Sequence, residues 1–424
     1  MQRKFRAGGT SGSIFSLIAA TLGSGTISFP FAIQQNGILL GIILILLGAS
    51  ISYYTGMLLV KVSNRTQCNR YEDFAFKLYG HRCRQITSGL NLACLIGFGI
   101  SYIVYVKSML PEILLKFWTV DELPAFIVSD EWGQIFWATL FSFGMLLPMS
   151  LPRSINALRY SSLFGVLCSV YLSLAVFFVF YCDKEMVPDP AQNFKDAELF
   201  TLSFTGVVSS FPFIIFAYMY QVNIPMIYTE LERRNAKQMS KVLIFGTVGA
   251  VVLYIIVGVW GYVTFTNNPT VTAEEALKDA NILQAPYPNS VTPILIGNFA
   301  LFFAIATAAP LIILPAKDTV EEIVAKGNPE RRLSPKENML TTFLLVLTSY
   351  LLACVIPSIS DAMTLVGSTT NPAVGFILPI IFYWKAIEPD NVPICSLTKM
   401  TAIGVASFII VISLLSLYNF FSTL

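Results

Sequence analysis

This chain is nearly without histidine. A single one, His81, stands among 424 residues, which leaves no material for a histidine proton relay or a histidine metal centre. Charge is scarce as well. Only 12% of residues are charged against 55% hydrophobic, a composition too apolar for an ordinary soluble domain and typical of a polytopic membrane protein. The seven cysteines show no metal or redox spacing, and most fall in apolar segments. Cys68, Cys83 and Cys395 fall in loops placed in the cytosol, where thiols stay reduced, and only Cys182 lies near an outer face. There is no intramembrane zinc, serine–histidine or paired-carboxylate pattern, so an enzyme is not expected. No metal and no cofactor are implied. The first ten residues hold Arg3, Lys4 and Arg6 but lack the short apolar core and cleavage site of a secretory signal, so the first apolar segment is expected to be retained. No soluble domain is expected at either end.

What the chain does have is long apolar runs. Crossing the hydrocarbon core as helix takes about twenty apolar residues, and the sequence offers eleven such runs, at about 13–36, 37–60, 86–110, 132–151, 160–182, 202–229, 240–265, 291–316, 338–356, 360–384 and 400–421. With a cytosolic amino terminus, every basic residue except Lys107, Lys116, Lys184, Lys195 and Lys278 falls on the inner side. The positive-inside bias thus sets the orientation and puts Leu424 outside. The sequon Asn64-Arg-Thr66 lies in an inner loop and is expected to stay unused. Tyr71 to Tyr79 alternates apolar and charged residues at helical spacing, as suits either a short helix at the inner surface or a plain connecting helix.

Two of the runs are interrupted. Leu22-Gly-Ser-Gly-Thr-Ile-Ser-Phe-Pro30 breaks the first, and Ser209 to Tyr218 breaks the sixth. Irregular backbone at membrane depth survives only where it is buried in protein or lines a cavity. Paired interruptions in two halves point to a transporter's substrate site. Dividing the chain as five plus five spans places a broken helix first in each half. Five is odd, so the halves are inverted repeats, about 13–182 and 202–384, in one transmembrane domain of residues 1–424 with an extra helix at about 400–421.

Candidate site residues follow from the breaks. Gly23, Ser24, Gly25 and Thr26 bring backbone N–H groups and a half-helix N-terminus to one place, where a carboxylate is the natural guest. Small residues also permit close helix packing, but Pro30 and the second break favour binding. Phe216, Ala217 and Tyr218 sit in the second break, where a ligand's side chain would project. Thr307 in the eighth span and Ser368, within Gly367-Ser-Thr-Thr-Asn371 of the tenth, are further candidates, although hydroxyls in such helices often bond their own backbone. Lys107 is either a snorkelling cation near the outer end of the third span or a fixed cation standing in for a missing ion. Asp361 opens the tenth span at the outer interface, and no buried carboxylate stands out as a proton carrier.

The stretch ending in FPFIIFAYMYQVNIPMIYTELERR, from Phe204 to Arg234, resembles the sixth-span signature of the amino acid/auxin permease family, especially its sodium-coupled neutral amino acid and vacuolar amino acid transporters. Agreement includes Phe216-Ala-Tyr218, Asn223 and Ile227-Tyr228-Thr-Glu-Leu231. Supporting matches are Leu22-Gly-Ser-Gly25, Ala309-Pro310, Leu314-Pro315, Gly367-Ser-Thr369 and Ile377-Leu-Pro379. The resemblance implies an all-α, LeuT/APC-like membrane fold of eleven helices with helices 1 and 6 broken. It also implies that small amino acids are held by spans one and six with parts of three, eight and ten. Where sodium-coupled members carry an asparagine in the first span, this chain has Ala19 or Ala20. Their eighth-span threonine falls on Ala308, with Thr307 beside it, and a histidine common in the sixth span is here Gln221. Two side-chain sodium ligands are thereby lost. Proton-linked or passive movement is expected ahead of sodium coupling, with Thr307 and Lys107 as candidate ion-coupling residues.

The leading reading is a secondary active or facilitative transporter of small neutral amino acids working by alternating access. The competing one is an amino acid sensor or structural membrane subunit of the same fold. Relatives with that role often carry a long soluble extension, and the short segment before the first span favours transport. Beyond an amino acid and the lipid bilayer no partner is implied, nucleic acid included. Oligomeric state stays open, as does the choice between plasma membrane and vacuolar or lysosomal membrane.

Overall fold

The structure, a computed structural model, describes residues 9–118, 122–128, 132–152, 159–288, 291–325, 333–388 and 396–423. Among the described residues, every regular element is helical. Nine stretches there are long and apolar enough to cross a membrane: Ser24–Thr66, His81–Leu115, Leu163–Cys182, Phe204–Glu230, Ala236–Thr266, Thr292–Val324, Pro335–Val355, Ile359–Ala386 and Leu397–Ser422. This count is lower than the eleven expected. Ser24–Thr66 takes in two helices that meet at the Gly37 kink, and Thr10–Thr21, the first part of the first run, is a short apolar helix on its own. The fourth run, about 132–151, is helical over 132–150 and divided by a π-helical segment at Leu140–Leu146.

Local sequence explains where the helices change course. Helix Thr10–Thr21 ends at Leu22 in extended backbone (φ −76°, ψ 122°), and Gly23 is fully extended (φ −163°, ψ −154°). A 3-10 turn over Ser24–Ser28 follows, then helix Phe29–Thr66 with Pro30 in its first turn, where a missing N–H costs nothing. Within that helix Gly37 turns the chain at φ 75°, ψ 163°, a left-handed conformation that only glycine adopts cheaply. Groups freed at the kink pair with the extended segment 198–201: Ile38 N–H donates to Glu198 O at 3.0 Å, Leu39 N–H to Leu199 O at 2.8 Å, and Thr201 N–H to Asn36 O at 2.9 Å. The Asn36 amide also reaches Ser210 Oγ at 2.8 Å and Ala32 O at 2.9 Å. The kink is thereby fastened to the start of the sixth run.

That sixth run is helical over Phe204–Ala217, leaves helical geometry at Tyr218, makes a 3-10 turn at Gln221–Asn223 and resumes as Ile224–Glu230 with Pro225 in its first turn. Pro212 inside the first half has no N–H to give to Val208 O, four residues back. Ser416 Oγ, on the last helix, donates to that carbonyl at 2.7 Å instead. Tyr71–Tyr79 is a short helix with Tyr71, Glu72, Phe74 and Ala75 buried. Burial raises the Glu72 carboxyl above its ordinary range, and Asn91 Nδ2 donates to it at 2.9 Å. Asp361 completes a capping box with Ser358 at the start of Ile359–Ser368. Its carboxylate accepts from Ser358 Oγ at 2.7 Å.

Around these elements the long helices pack as a bundle. Ala236–Thr266 runs along Phe29–Thr66, and Thr292–Ala325 lies against both Arg159–Cys182 and His81–Leu115. Phe204–Ala217 is wedged between Phe29–Thr66 and Ile359–Ser368.

Candidate functional site

The two interruptions meet. A Cβ built on Gly25 would lie 2.8 Å from Ala217 Cβ and 3.0 Å from Ala217 Cα, so the first 3-10 turn and the end of helix Phe204–Ala217 touch with no room for a side chain between them. Both places expose helix-end carbonyls that have lost their next N–H. Tyr254, fully buried on Ala236–Thr266, lies between them: its one hydroxyl proton is shared between Thr21 O at 2.8 Å and Ala217 O at 3.0 Å. Its ring is held by stacking on Phe29 at 4.2 Å and by an edge contact with Tyr218 at 5.3 Å.

The second interruption has a polar support of its own. Tyr218 O accepts from Ser52 Oγ at 2.8 Å, and Gln221 Nε2 donates to Ser52 Oγ at 2.7 Å and Thr55 Oγ1 at 3.3 Å. The Tyr220 hydroxyl pairs with Thr247 Oγ1 at 2.9 Å. Gln221 thus braces irregular backbone against the second run.

What remains is a set of buried hydroxyls without partners. Ser24 Oγ, Thr26 Oγ1, the Tyr218 hydroxyl and Ser368 Oγ have no hydrogen-bond partner among the described residues, and their side chains are 1%, 1%, 0% and 6% exposed. Buried polar atoms are nearly always paired. These are four of nineteen such atoms among the described residues, and Ser24, Thr26 and Tyr218 lie at the two helix breaks. Four of the sequence candidates are these orphans, and Gly25 and Ala217 form the contact between the breaks. Gly23 faces the third span, with the Tyr102 hydroxyl 3.9 Å from where its side chain would begin. Phe216 is buried against Phe98 of the same span, ring centres 5.0 Å apart. Ser368 ends its helix one residue after Gly367, which lies against the Pro212 carbonyl.

Two candidates stand apart. Lys107 donates to Ala353 O at 2.8 Å and Ile356 O at 2.6 Å, at the end of helix Pro335–Val355. Thr307 lies in helix Thr292–Ala325, but its side chain falls outside the described residues. Tyr254 and Tyr102 were not singled out from the sequence. A tyrosine in an apolar helix carries no local sign of which carbonyl, 37 or 233 residues away, its hydroxyl will meet.

The Tyr254 bridge gives a direct test. Removing the hydroxyl in Tyr254→Phe leaves two buried carbonyls without their donor, at a cost of about 1–3 kcal/mol. The expected result is a melting temperature several degrees lower in detergent (about 2–4 °C per kcal/mol at this size or less). Tyr218→Phe, which deletes an orphan, is expected to leave the melting temperature unchanged. Equal melting of the two variants would remove the bridge from the site's architecture.

Residues 6–422 match the family described as transmembrane amino acid transporter protein. The sodium-coupled neutral amino acid symporter 2 of Danio rerio is 25% identical over 420 residues, covering 94% of this chain and 78% of that protein. Among solved structures, MhsT in complex with L-phenylalanine superposes with a TM-score of 0.59 at 13% identity, over 96% of this chain and 98% of the other. The substrate-bound, outward-open state of a Na+-coupled sialic acid symporter gives 0.56 at 11% identity, over 95% and 88%. At these identities the two structures establish a shared LeuT-like fold. With a family match running nearly from end to end over a bundle whose two interrupted helices touch at Gly25 and Ala217, this chain belongs to the transmembrane amino acid transporter family and is a carrier protein, not an enzyme.

Proposed function

We propose that this protein moves small neutral amino acids across a membrane by alternating access, with the zwitterion's carboxylate at Gly23–Thr26 and its side chain toward Phe216, Ala217 and Tyr218. The supporting observation is that the two helix breaks touch at Gly25 and Ala217 and carry the buried, unpartnered Ser24, Thr26 and Tyr218 hydroxyls. Unpartnered hydroxyls suit a small polar ligand, and the nearby N-terminus of a half-helix favours its anionic end. None of these residues is ionisable at neutral pH, as befits a substrate without net charge. The printed names of a relative, a sodium-coupled neutral amino acid symporter, and of a neighbour holding L-phenylalanine support a neutral amino acid as the substrate class.

In this reading the chain forms one domain of eleven crossings, with inverted repeats at about 13–182 and 202–384 and an added helix at about 400–421. The amino terminus is cytosolic and the carboxyl terminus outside or lumenal, in the plasma membrane or a vacuolar or lysosomal one. Transport is proton-linked or passive. Ala19, Ala20 and Ala308 offer no side-chain oxygen where a sodium ion would want one. Proteoliposome uptake under imposed gradients tests this. Equal uptake of at least one small neutral amino acid in sodium and choline buffers is expected, whereas a strict sodium requirement would refute the coupling assignment. Binding without uptake would move the protein to a sensor's role.

A further inference from the structure

Lys107 and Lys317 are buried charges, 3% and 4% exposed, that the substrate site does not use. Lys107 donates to Ala353 O and Ile356 O at 2.8 and 2.6 Å, and Lys317 donates to Ser150 O and Pro152 O at 2.7 and 3.3 Å. In each case the acceptors are carbonyls at or just past a helix C-terminus, where peptide dipoles favour a cation. Placement follows the same rule twice. Each lysine stands eight residues before the last residue of its own helix, His81–Leu115 or Thr292–Ala325.

Those two helices are antiparallel neighbours: Arg84 pairs with Glu322 at 2.5 Å at one end, and Phe117 meets Phe299 at 6.1 Å at the other. Lys107 therefore works at one end of the pair and Lys317 at the opposite end. Each also reaches across the proposed repeats. Lys107, from the first, holds the end of Pro335–Val355 in the second, and Lys317, from the second, holds the end of 132–150 in the first. Four helices are so closed into a frame fastened at both faces. The broken helices lean on that frame through Gly23 beside Tyr102 and Phe216 against Phe98.

We infer that Lys107 and Lys317 are paired positioning residues, one in each repeat, whose charged clasps on opposing helix ends hold this four-helix frame rigid while the broken helices move. The inference rests on the transport reading above. None of the described hydrogen bonds of either lysine reaches the proposed substrate residues, so its loss alters turnover rather than affinity.

The test uses the full-length protein in proteoliposomes with L-alanine as probe. Lys107→Met and Lys317→Met are each expected to lower the maximal uptake rate at least about tenfold, the scale of one helix-end charge contact in a partly buried setting, with KM within about twofold. Lys107→Arg and Lys317→Arg, which keep charge and donors, restore at least half of the rate. Hydrogen exchange supplies a second readout: Lys107→Met frays the last turn of Pro335–Val355 alone, and Lys317→Met the last turn of 132–150 alone. Methionine variants that transport at the wild-type rate, or that lose KM and rate together, overturn the inference. Should the methionine variants not fold, the wild type decides by exchange. Last turns protected like the helix middles support the clasps, and last turns exchanging as fast as an exposed helix end overturn them. Wild-type uptake in the same vesicles reports on transport by itself, so its absence would refute that reading and leave the exchange result to judge the lysines.

Discussion

Gly25→Val is expected to abolish uptake, with a loss of at least about 10²-fold in kcat/KM, the size of effect that a 1 Å misplacement of reacting or binding groups produces. The reason is space. Even the first carbon of a side chain at Gly25 would lie 2.8 Å from Ala217 Cβ and 3.0 Å from Ala217 Cα, and the second of these is backbone that no rotamer change can move. The two breaks must separate, carrying the unpartnered hydroxyls of Ser24 and Thr26 away from the helix end that bears Tyr218. Gly23→Ala is the informative neighbour. Its Cβ would meet only the Tyr102 hydroxyl at 3.9 Å, an ordinary contact, so this variant is expected to fold and to show a raised KM with a nearly unchanged melting temperature. Radiolabelled uptake and thermal melting of both variants check the pair. Undiminished transport by Gly25→Val would reject the carboxylate cradle.

Gly367→Ala is expected to have the second large effect, and on stability as well as transport. A Cβ there would fall 2.2 Å from Pro212 O, 2.8 Å from its carbonyl carbon and 3.1 Å from its Cα. All three are backbone atoms of the helix that leads into the second break. Overpacking of this kind costs about 1–3 kcal/mol, and more where no side chain can yield. The tenth run would be pushed away, carrying Ser368 with it. Gly404→Ala provides the control, because nothing lies within 4 Å of the new methyl group. Detergent melting curves should place Gly367→Ala well below the wild type and Gly404→Ala beside it. Coincident curves for all three would show that the tenth run is not seated on Pro212.

Membrane residence and all-helical character were legible because hydropathy is a property of composition along the chain, independent of which helix meets which. The Gly23-Ser-Gly25 and Pro30 signals lie where helix gives way to extended backbone and a 3-10 turn, since glycine and proline impose their limits locally. Contacts across the bundle were not legible. Lys107 read as a snorkelling cation near an interface or as a fixed cation standing in for a missing ion, yet its partners are carbonyls on another helix more than two hundred residues away. Gln221 drew notice as the residue standing where relatives keep a histidine, and only the packing of the second run shows it bracing Ser52 and Thr55. Gly37 lay unremarked at the border of two expected spans, although its positive φ sets the angle between them. The span count shifted for a related reason: hydropathy sees apolar length, but a π-helical segment at Leu140–Leu146 and the short Thr10–Thr21 helix are matters of backbone geometry.

The claim on which the rest depends is that the meeting point of the two breaks holds the charged backbone end of an amino acid. Titration of the purified protein with neutral amino acids, each beside its own amide, tests this most directly, because the amide keeps the side chain and the amino group and removes only the carboxylate. At least one amino acid should bind while its amide binds at least about tenfold more weakly, a difference of about 1.4 kcal/mol and within what a charge-assisted hydrogen bond supplies. Amides that bind as tightly as their parent amino acids would contradict the proposed site.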